Sequence, residues 1–231
     1  MIQAVDLSKK YGGNTVLNIK ELIIPKGECF GLVGNNGAGK TTLFNLILDL
    51  IKPSSGHILS KETRVDQSEA WKSYITAYID ESFIIGYLTP EEYFNFLGNL
   101  RGISPTRVEE ELAPFNALFG NEVLGQKKYI RDLSKGNQKK VGIAAAFLGA
   151  PELVILDEPF ANLDPTTQIR LKNYIKEVHL DGETTLLISS HDLTHITEVC
   201  ERIVVLSKGD VVKDLKNSEE TLRELETYFS V

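Results

Sequence analysis

The chain has 231 residues, of which 42% are hydrophobic, and this length suits one large α/β domain or a core with a subdomain. Its formal net charge of −7 argues against a protein that binds nucleic acid through a basic surface, and we expect no nucleic-acid partner. Cys29 and Cys200 lack metal-ligand spacing and are predicted to be reduced core residues of a cytosolic protein. We expect no signal peptide at 1–6 and no membrane-spanning run.

The first quarter of the chain is predicted to be rich in strands. Apolar runs over 2–7, 15–24 and 28–33 are separated by the turn residues Gly12 and Gly13 and by a Pro-Lys-Gly turn at 25–27. The third run is followed at once by a glycine-rich segment and then by an apolar-faced helix over 41–50. This order of strand, loop and helix is typical of a phosphate-binding site.

Residues 34–41 read Gly-Asn-Asn-Gly-Ala-Gly-Lys-Thr, a complete match to the phosphate-binding pattern G-x-x-x-x-G-K-[ST]. Glycines let successive N–H groups turn inward around a phosphate, where a Cβ would collide. Lys40 can reach the β- and γ-phosphates, and the Thr41 hydroxyl can hold Mg²⁺. We therefore predict a site for ATP and Mg²⁺ built from Gly34, Asn35, Asn36, Gly37, Ala38, Gly39, Lys40, Thr41 and Thr42. Lys40 is predicted to be catalytic as well.

The middle of the chain changes from strands to helices. After a predicted core strand over 74–79, Thr-Pro-Glu-Glu at 89–92 forms a capping box and predicts a helix that ends near Gly102. Ser104 and Pro105 open another predicted helix, whose apolar stripe consists of Leu112, Phe115, Leu118 and Phe119. Residues 133–138, Leu-Ser-Lys-Gly-Asn-Gln, then start a third helix with Ser134 as its N-cap. Gly136 leaves backbone exposed in the first turn, which suits a second phosphate contact.

A buried strand over 153–156 delivers two adjacent acids at its C-terminal end, where ligands of open α/β sheets bind. Asp157 can help to hold Mg²⁺, and Glu158 can polarise a water for in-line attack on the γ-phosphorus. Strands and helices alternate from here: a helix over 165–180 capped by Asp164, a strand over 184–189, a helix over 192–200, a strand over 202–206, and a last helix over 218–229. This alternation predicts a parallel, helix-flanked sheet with a helical block inserted into it.

In this order, the motifs resemble those of the ATP-binding domains of ATP-binding cassette (ABC) transporters, and the resemblance covers essentially the whole chain. Residues 133–137 resemble the family signature Leu-Ser-Gly-Gly-Gln, and residues 161–164 look like the family's D-loop. The resemblance implies that Tyr11 stacks on adenine, that Asp157 binds the metal, that Glu158 is the catalytic base and that His191 is the switch histidine.

The resemblance also implies the fold class: an α/β P-loop NTPase core with a mixed or parallel sheet, an N-terminal antiparallel β subdomain and an inserted α-helical signature subdomain. We expect a single ABC ATPase domain over 1–231, with the catalytic core over about 1–81 and 151–231 and the helical subdomain over 82–150. Two such domains pack head to tail in this family, and each ATP lies between one phosphate loop and the partner's Ser134 and Gly136.

We expect this chain to be the ATPase subunit of a transporter, most similar to bacterial exporters, bound to a separate membrane permease at the cytoplasmic face of the membrane. The second ATPase subunit would be a copy or a relative. The permease contact is predicted near 81–100. The family usually has glutamine after the strand over 74–79; here Glu81 takes that place and is predicted to bind the metal through water.

Other interpretations remain open at this point. A soluble ABC protein that acts on ribosomes or DNA shares the catalytic motifs, and a generic P-loop kinase shares the phosphate loop. His191 and His195 have zinc-protease spacing, although Asp192 stands where that motif wants glutamate. The Lys139 and Lys140 pair is predicted to be a solvated helix face, and Lys135 to point to solvent. Trp71, Phe94 and Phe96 are predicted to be core or packing residues, with exposed aromatics near 81–100 as the alternative, part of the permease contact.

Overall fold

The computed structural model describes residues 1–230, and its N-terminal part is an antiparallel sheet in the order β2-β1-β4-β5. Its strands are Ile2–Tyr11 (β1), Asn14–Ile24 (β2), Ser55–Ser60 (β4) and Thr63–Arg64 (β5). The chain turns between β1 and β2 at Gly12 and Gly13 as predicted, and both glycines have positive φ. The two strands are antiparallel, with Ile2 opposite Ile24. The third and fourth strands of this sheet were not among the predicted strands, and the fourth has only two residues.

The central sheet has six strands in the order β10-β9-β3-β8-β7-β6. Its strands are Cys29–Val33 (β3), Ile75–Tyr78 (β6), Leu153–Leu156 (β7), Thr185–Ser190 (β8), Arg202–Ser207 (β9) and Asp210–Lys216 (β10). All neighbours are parallel except β9 and β10. Strands β3, β7 and β8 are buried along their whole length, since helices or the other sheet cover both faces.

Helices lie on the central sheet and in an insertion between β6 and β7. Their bounds are Lys40–Ile47 (α1), Pro90–Leu100 (α2), Pro105–Leu112 (α3), Asn116–Phe119 (α4), Lys135–Phe147 (α5), Pro165–His179 (α6), Leu193–Val199 (α7) and Thr221–Phe229 (α8). The predicted capping box is confirmed: the Glu92 N–H donates to Thr89 Oγ1 at 3.3 Å, and the Thr89 N–H donates to Glu92 Oε2 at 2.8 Å.

The single helix predicted after Ser104 is wrong in its length. It ends at Leu112, and a 3₁₀ turn over Ala113–Phe115 separates it from α4. Pro114 lies in this turn, and proline lacks the N–H that a continuing helix would need. The four residues of the predicted apolar stripe are nevertheless all buried.

The prediction that Lys139 and Lys140 form a solvated helix face is also wrong. Both side chains are buried, because every residue of α5 from Asn137 to Phe147 is enclosed by the rest of the insertion and by the central sheet. Gly142 shows how close this packing is: a Cβ there would lie 2.4 Å from the Tyr78 ring. Lys135, at the start of the helix, is exposed as predicted.

The other packing predictions have mixed outcomes. Trp71 and Phe94 are buried, but Phe96 is 41% exposed. Cys29 and Cys200 are free and buried as predicted, and their Sγ atoms lie 3.7 Å apart at the end of α7. Within residues 1–230, no helix combines the length and the apolar character that crossing a membrane requires.

Candidate nucleotide-binding site

The phosphate-binding loop connects β3 to α1, as the sequence predicts. Gly37 and Gly39 have φ values of +80° and +109°, which favour glycine over every other residue. A Cβ at Gly34 would lie 2.4 Å from the carbonyl oxygen of Leu206, so that position has no room for a side chain. The Ala38 N–H donates to the Asn35 carbonyl at 3.0 Å and closes the loop. The loop therefore leads directly into the N-terminus of α1, where N–H groups lack partners within the helix.

Lys40 and Thr41 begin α1 and point to different partners. The Lys40 side chain is buried; its Nζ donates to the Gly34 carbonyl at 2.7 Å and lies 3.3 Å from Glu158 Oε1. The Thr41 hydroxyl donates to Asp157 Oδ2 at 2.5 Å. The phosphate loop and the acids at the end of β7 thus form one site.

Asp157 is a buried carboxylate, 5% exposed, that accepts hydrogen bonds from the hydroxyls of Thr41 and Ser189. Burial raises the pKa of the Asp157 carboxyl, and these two hydrogen bonds together with nearby Lys40 oppose that shift. A carboxylate and a hydroxyl are the hard oxygen ligands that Mg²⁺ prefers.

Glu158 has an unusual backbone: its φ of +47° lies in the left-handed region, which is uncommon for a residue with a side chain. Its N–H donates to Ser189 Oγ at 3.0 Å, and its carbonyl accepts from Lys139 Nζ at 3.0 Å. Its carboxylate meets His191, with 2.8 Å between Oε2 and the ring Nδ1 and 3.3 Å to the His191 N–H. The acid is therefore held at its backbone and at its side chain.

The other predicted site residues lie apart from this cluster. Tyr11 is half exposed at the end of β1, with Lys9 Nζ 4.9 Å from its ring centre. Ser134 is the N-cap of α5 as predicted, accepting from the Asn137 N–H at 3.2 Å, and is exposed. A Cβ at Gly136 would lie 3.4 Å from the carbonyl oxygen of Asn162 in the predicted D-loop.

Glu81 accepts a hydrogen bond from the Tyr78 hydroxyl at 2.7 Å. Its role as a metal ligand stays a prediction. His195 packs against the Phe160 ring at 4.8 Å, while His191 contacts Glu158. The described residues contain no group of three or more His, Cys, Asp or Glu side chains placed to hold a metal, and the zinc interpretation has no support.

Sequence reasoning missed two residues of the site. Ser189, at the end of β8, bonds both Asp157 and the Glu158 N–H. Lys139 bonds the Glu158 carbonyl from α5. A signal for the second existed: the residues after Lys140 are small or apolar on every side of the helix, a composition typical of a helix buried all round.

Comparisons with known proteins identify the family of this chain. A family model described as ABC transporter matches residues 17–161. The bacitracin transport ATP-binding protein BcrA of Enterococcus faecalis is 34% identical over 225 residues, which cover 95% of this chain and 70% of BcrA. The solved structure of an ATP-binding subunit of an ABC transporter superposes with a TM-score of 0.84 at 28% identity, covering 98% of this chain and 93% of that one.

A dimeric ATP-binding cassette in a post-hydrolysis state with ADP and Pi superposes with a TM-score of 0.83, over 94% of this chain and 99% of that one. At 24% identity this likeness shows the fold, and the predicted fold class is confirmed. The family model covers more than half of the residues. The chain therefore belongs to the ABC transporter family, as an ATP-binding subunit that hydrolyses ATP.

Proposed function

We propose that ATP binds at the phosphate loop and is hydrolysed with Glu158 as the general base. One observation supports this above all: Lys40, Thr41, Asp157, Glu158 and His191 meet at the ends of the central strands, in contacts of 2.5 to 3.3 Å. This edge is where open α/β sheets bind their ligands. Tyr11, half exposed on the neighbouring sheet, is proposed to stack on the adenine.

Lys40 is proposed to exchange partners when the nucleotide arrives. In the structure its ammonium is shared between the Gly34 carbonyl and Glu158 Oε1. Phosphate oxygens offer a denser negative charge, and charge-assisted bonds to them are stronger than a bond to a neutral carbonyl. Binding of ATP thus draws Lys40 away from Glu158 and leaves that carboxylate free to accept a proton.

Mg²⁺ fits the oxygen ligands at this edge, because the Thr41 hydroxyl and the Asp157 carboxylate already lie in contact. We propose that these two residues hold it, with Glu81 contributing through water. When bound, Mg²⁺ neutralises negative charge on the phosphates. Glu158 takes the proton of the attacking water, and His191 orients the Glu158 carboxylate through its ring nitrogen.

We further propose that two such subunits pack head to tail, with Ser134 and Gly136 of one facing the ATP of the other. Ser134 is exposed at the N-terminus of α5, and its hydroxyl already caps that helix. A helix N-terminus favours negative charge. Within residues 1–230, the hydrogen bonds of Ser134 come from the Asn137 and Gln138 N–H groups of its own helix, and none comes from the phosphate loop.

In a Glu158→Gln background, light scattering should show a monomer that doubles its mass on addition of Mg-ATP. Ser134→Arg should abolish this change, because a bulky side chain would block the partner's γ-phosphate. Ser104→Arg is the matched control: Ser104 is likewise an exposed N-cap, accepting from the Arg107 N–H, but on α3. An equal loss of dimer in Ser134→Arg and Ser104→Arg would contradict the proposal. So would the absence of a mass change in the Glu158→Gln protein that carries neither substitution.

The permease is proposed to dock on an apolar surface of the insertion. The side chains of Phe83, Tyr87 and Leu100 are 57%, 71% and 69% exposed, and the less exposed Ile85 and Phe96 lie in the same stretch. Scattered single apolar side chains are normal on a surface, but a set within one stretch of chain indicates a contact. The adjoining Glu81–Phe83 turn follows β6, whose parallel neighbour β7 carries the acids of the site.

Phe83→Asp with Tyr87→Asp should release the chain from native membranes in a sedimentation assay, because charge would be buried against an apolar permease surface. Its ATPase activity in solution should stay within about twofold of wild type, since both side chains are largely exposed to solvent. Leu180→Asp serves as the control: Leu180 is 85% exposed at the end of α6, away from this surface. A double variant that sediments as well as wild type would refute this docking surface.

We propose that the assembled transporter lies with this subunit at the cytoplasmic face and exports drugs, peptides or lipids. The name of BcrA, which describes bacitracin transport, supports this class of cargo. Movement of labelled compounds in inverted membrane vesicles with ATP outside would decide the direction. Accumulation inside such vesicles is expected for an exporter, and loss from them for an importer.

A further inference from the structure

Lys139 is a buried lysine beside the proposed base that the mechanism above does not use. Its side chain is 6% exposed, its Nζ donates to the Glu158 carbonyl at 3.0 Å, and the Tyr78 ring centre lies 5.9 Å away. It stands on α5, which begins directly after Ser134. Little more than one helical turn therefore lies between Ser134, which is proposed to meet the partner's ATP, and Lys139, which bonds Glu158.

Stability does not account for this lysine. Burying an ammonium costs free energy, and a neutral carbonyl repays only part of it. The Glu158 carbonyl would still have a partner without Lys139, because the Ala161 N–H donates to it at 3.3 Å. Burial lowers the pKa of Lys139, and the carboxylates of Glu81, Glu158 and Asp157 oppose that shift.

What Lys139 does hold is the unusual backbone of Glu158. A φ of +47° is strained for a residue with a Cβ and persists where surrounding contacts fix it. Ser189 holds the N–H of this residue, and its carbonyl accepts from both the Ala161 N–H at 3.3 Å and the Lys139 ammonium at 3.0 Å, of which the ammonium is the charged and shorter donor. The direction of the Glu158 side chain follows from this backbone, and with it the contact to His191.

We propose that Lys139 is a positioning residue for ATP hydrolysis: by holding the Glu158 carbonyl, its ammonium links the geometry of the base to helix α5. The inference rests on the proposed role of Glu158 and on the proposed contact of Ser134 with the partner's nucleotide. A shift of α5 on contact with that nucleotide moves the Lys139 ammonium, and the Glu158 peptide moves with it. Each subunit then reports the partner's ATP to its own base.

The test compares Lys139→Met, Lys139→Arg and Lys140→Met in the full chain, with turnover expressed per ATP site counted by calorimetry. Lys139→Met keeps the length of the side chain and removes its donor, so kcat should fall about tenfold while KM stays within about twofold. Lys139→Arg restores a donor and should recover most of that loss. Lys140→Met is the matched control, since Lys140 is 7% exposed on the same helix but faces Glu122, 3.7 Å from its Nζ.

The outcomes separate this inference from the proposed function. If Glu158→Gln hydrolyses ATP as fast as wild type, the proposed base is wrong and the inference falls with it. If Glu158→Gln is inactive but Lys139→Met turns over within twofold of wild type, only the inference is overturned. An equal loss in Lys140→Met also overturns it, because the effect would then belong to the helix as a whole.

A further measurement distinguishes positioning of the base from damage to the signature. In the Glu158→Gln background, Lys139→Met should still dimerise with Mg-ATP, because Ser134 is untouched. Failure to dimerise would overturn the inference. If Lys139→Met does not fold, as judged by thermal unfolding, Lys139→Leu replaces it with the same expectations, since leucine also lacks a donor.

Discussion

Glu158→Gln should lower the turnover of ATP by about a hundredfold or more while the nucleotide still binds. Glutamine keeps the size of the side chain and can still accept from the His191 N–H, whose bond to Oε2 is 3.3 Å long. What it loses is the ability to take a proton from water. The measurement is phosphate release under saturating Mg-ATP, with ATP binding followed by calorimetry on the same preparation.

Glu152→Gln provides the matched control for this change. Glu152 precedes β7 at the end opposite to Glu158, and its carboxylate pairs with Lys61 at 2.7 Å on the surface. Surface pairs contribute little to stability, and this variant should turn over ATP at the wild-type rate. If Glu158→Gln turns over ATP at a near-normal rate, as Glu152→Gln is expected to do, Glu158 is not the base.

The strands and the phosphate loop could be predicted from the sequence because their signals are local. The loop pattern occupies eight consecutive residues, and the strand before it is apolar without interruption because both of its faces are covered. The adjacent acids Asp157 and Glu158 were also found from their own strand. The contact between Glu158 and His191 joins β7 to the end of β8, and only the family resemblance pointed to it.

The errors concern burial and long-range contact. Lys139 and Lys140 were expected in solvent because lysine is rarely buried, and their burial depends on how α5 fits under the rest of the insertion. The 3.7 Å contact of Cys29 with Cys200 joins residues 171 positions apart, which neither spacing nor composition reveals. The end of the helix at Leu112 could have been predicted from the sequence, because Pro114 cannot continue a regular helix.

Lys40→Ala should weaken ATP binding by about tenfold or more, because it removes the cation that faces several phosphate charges in a buried setting. Calorimetry with the full chain measures the affinity. Lys172→Ala is the control for the loss of a buried lysine: Lys172 is 9% exposed and pairs with Glu198 at 2.8 Å between α6 and α7, outside the site. It should cost stability and leave ATP affinity unchanged.

Lys40 also lies beside the proposed base. Its ammonium lies 3.3 Å from Glu158 Oε1, so Lys40→Ala removes a cation from the base as well as from the phosphates. The double variant Lys40→Ala with Glu158→Gln should therefore bind ATP more tightly than Lys40→Ala alone, because an unpaired carboxylate no longer repels the γ-phosphate. Equal affinities in the two variants would mean that Lys40 does not shield Glu158, and unchanged affinity in Lys40→Ala itself would refute the phosphate loop as the ATP site.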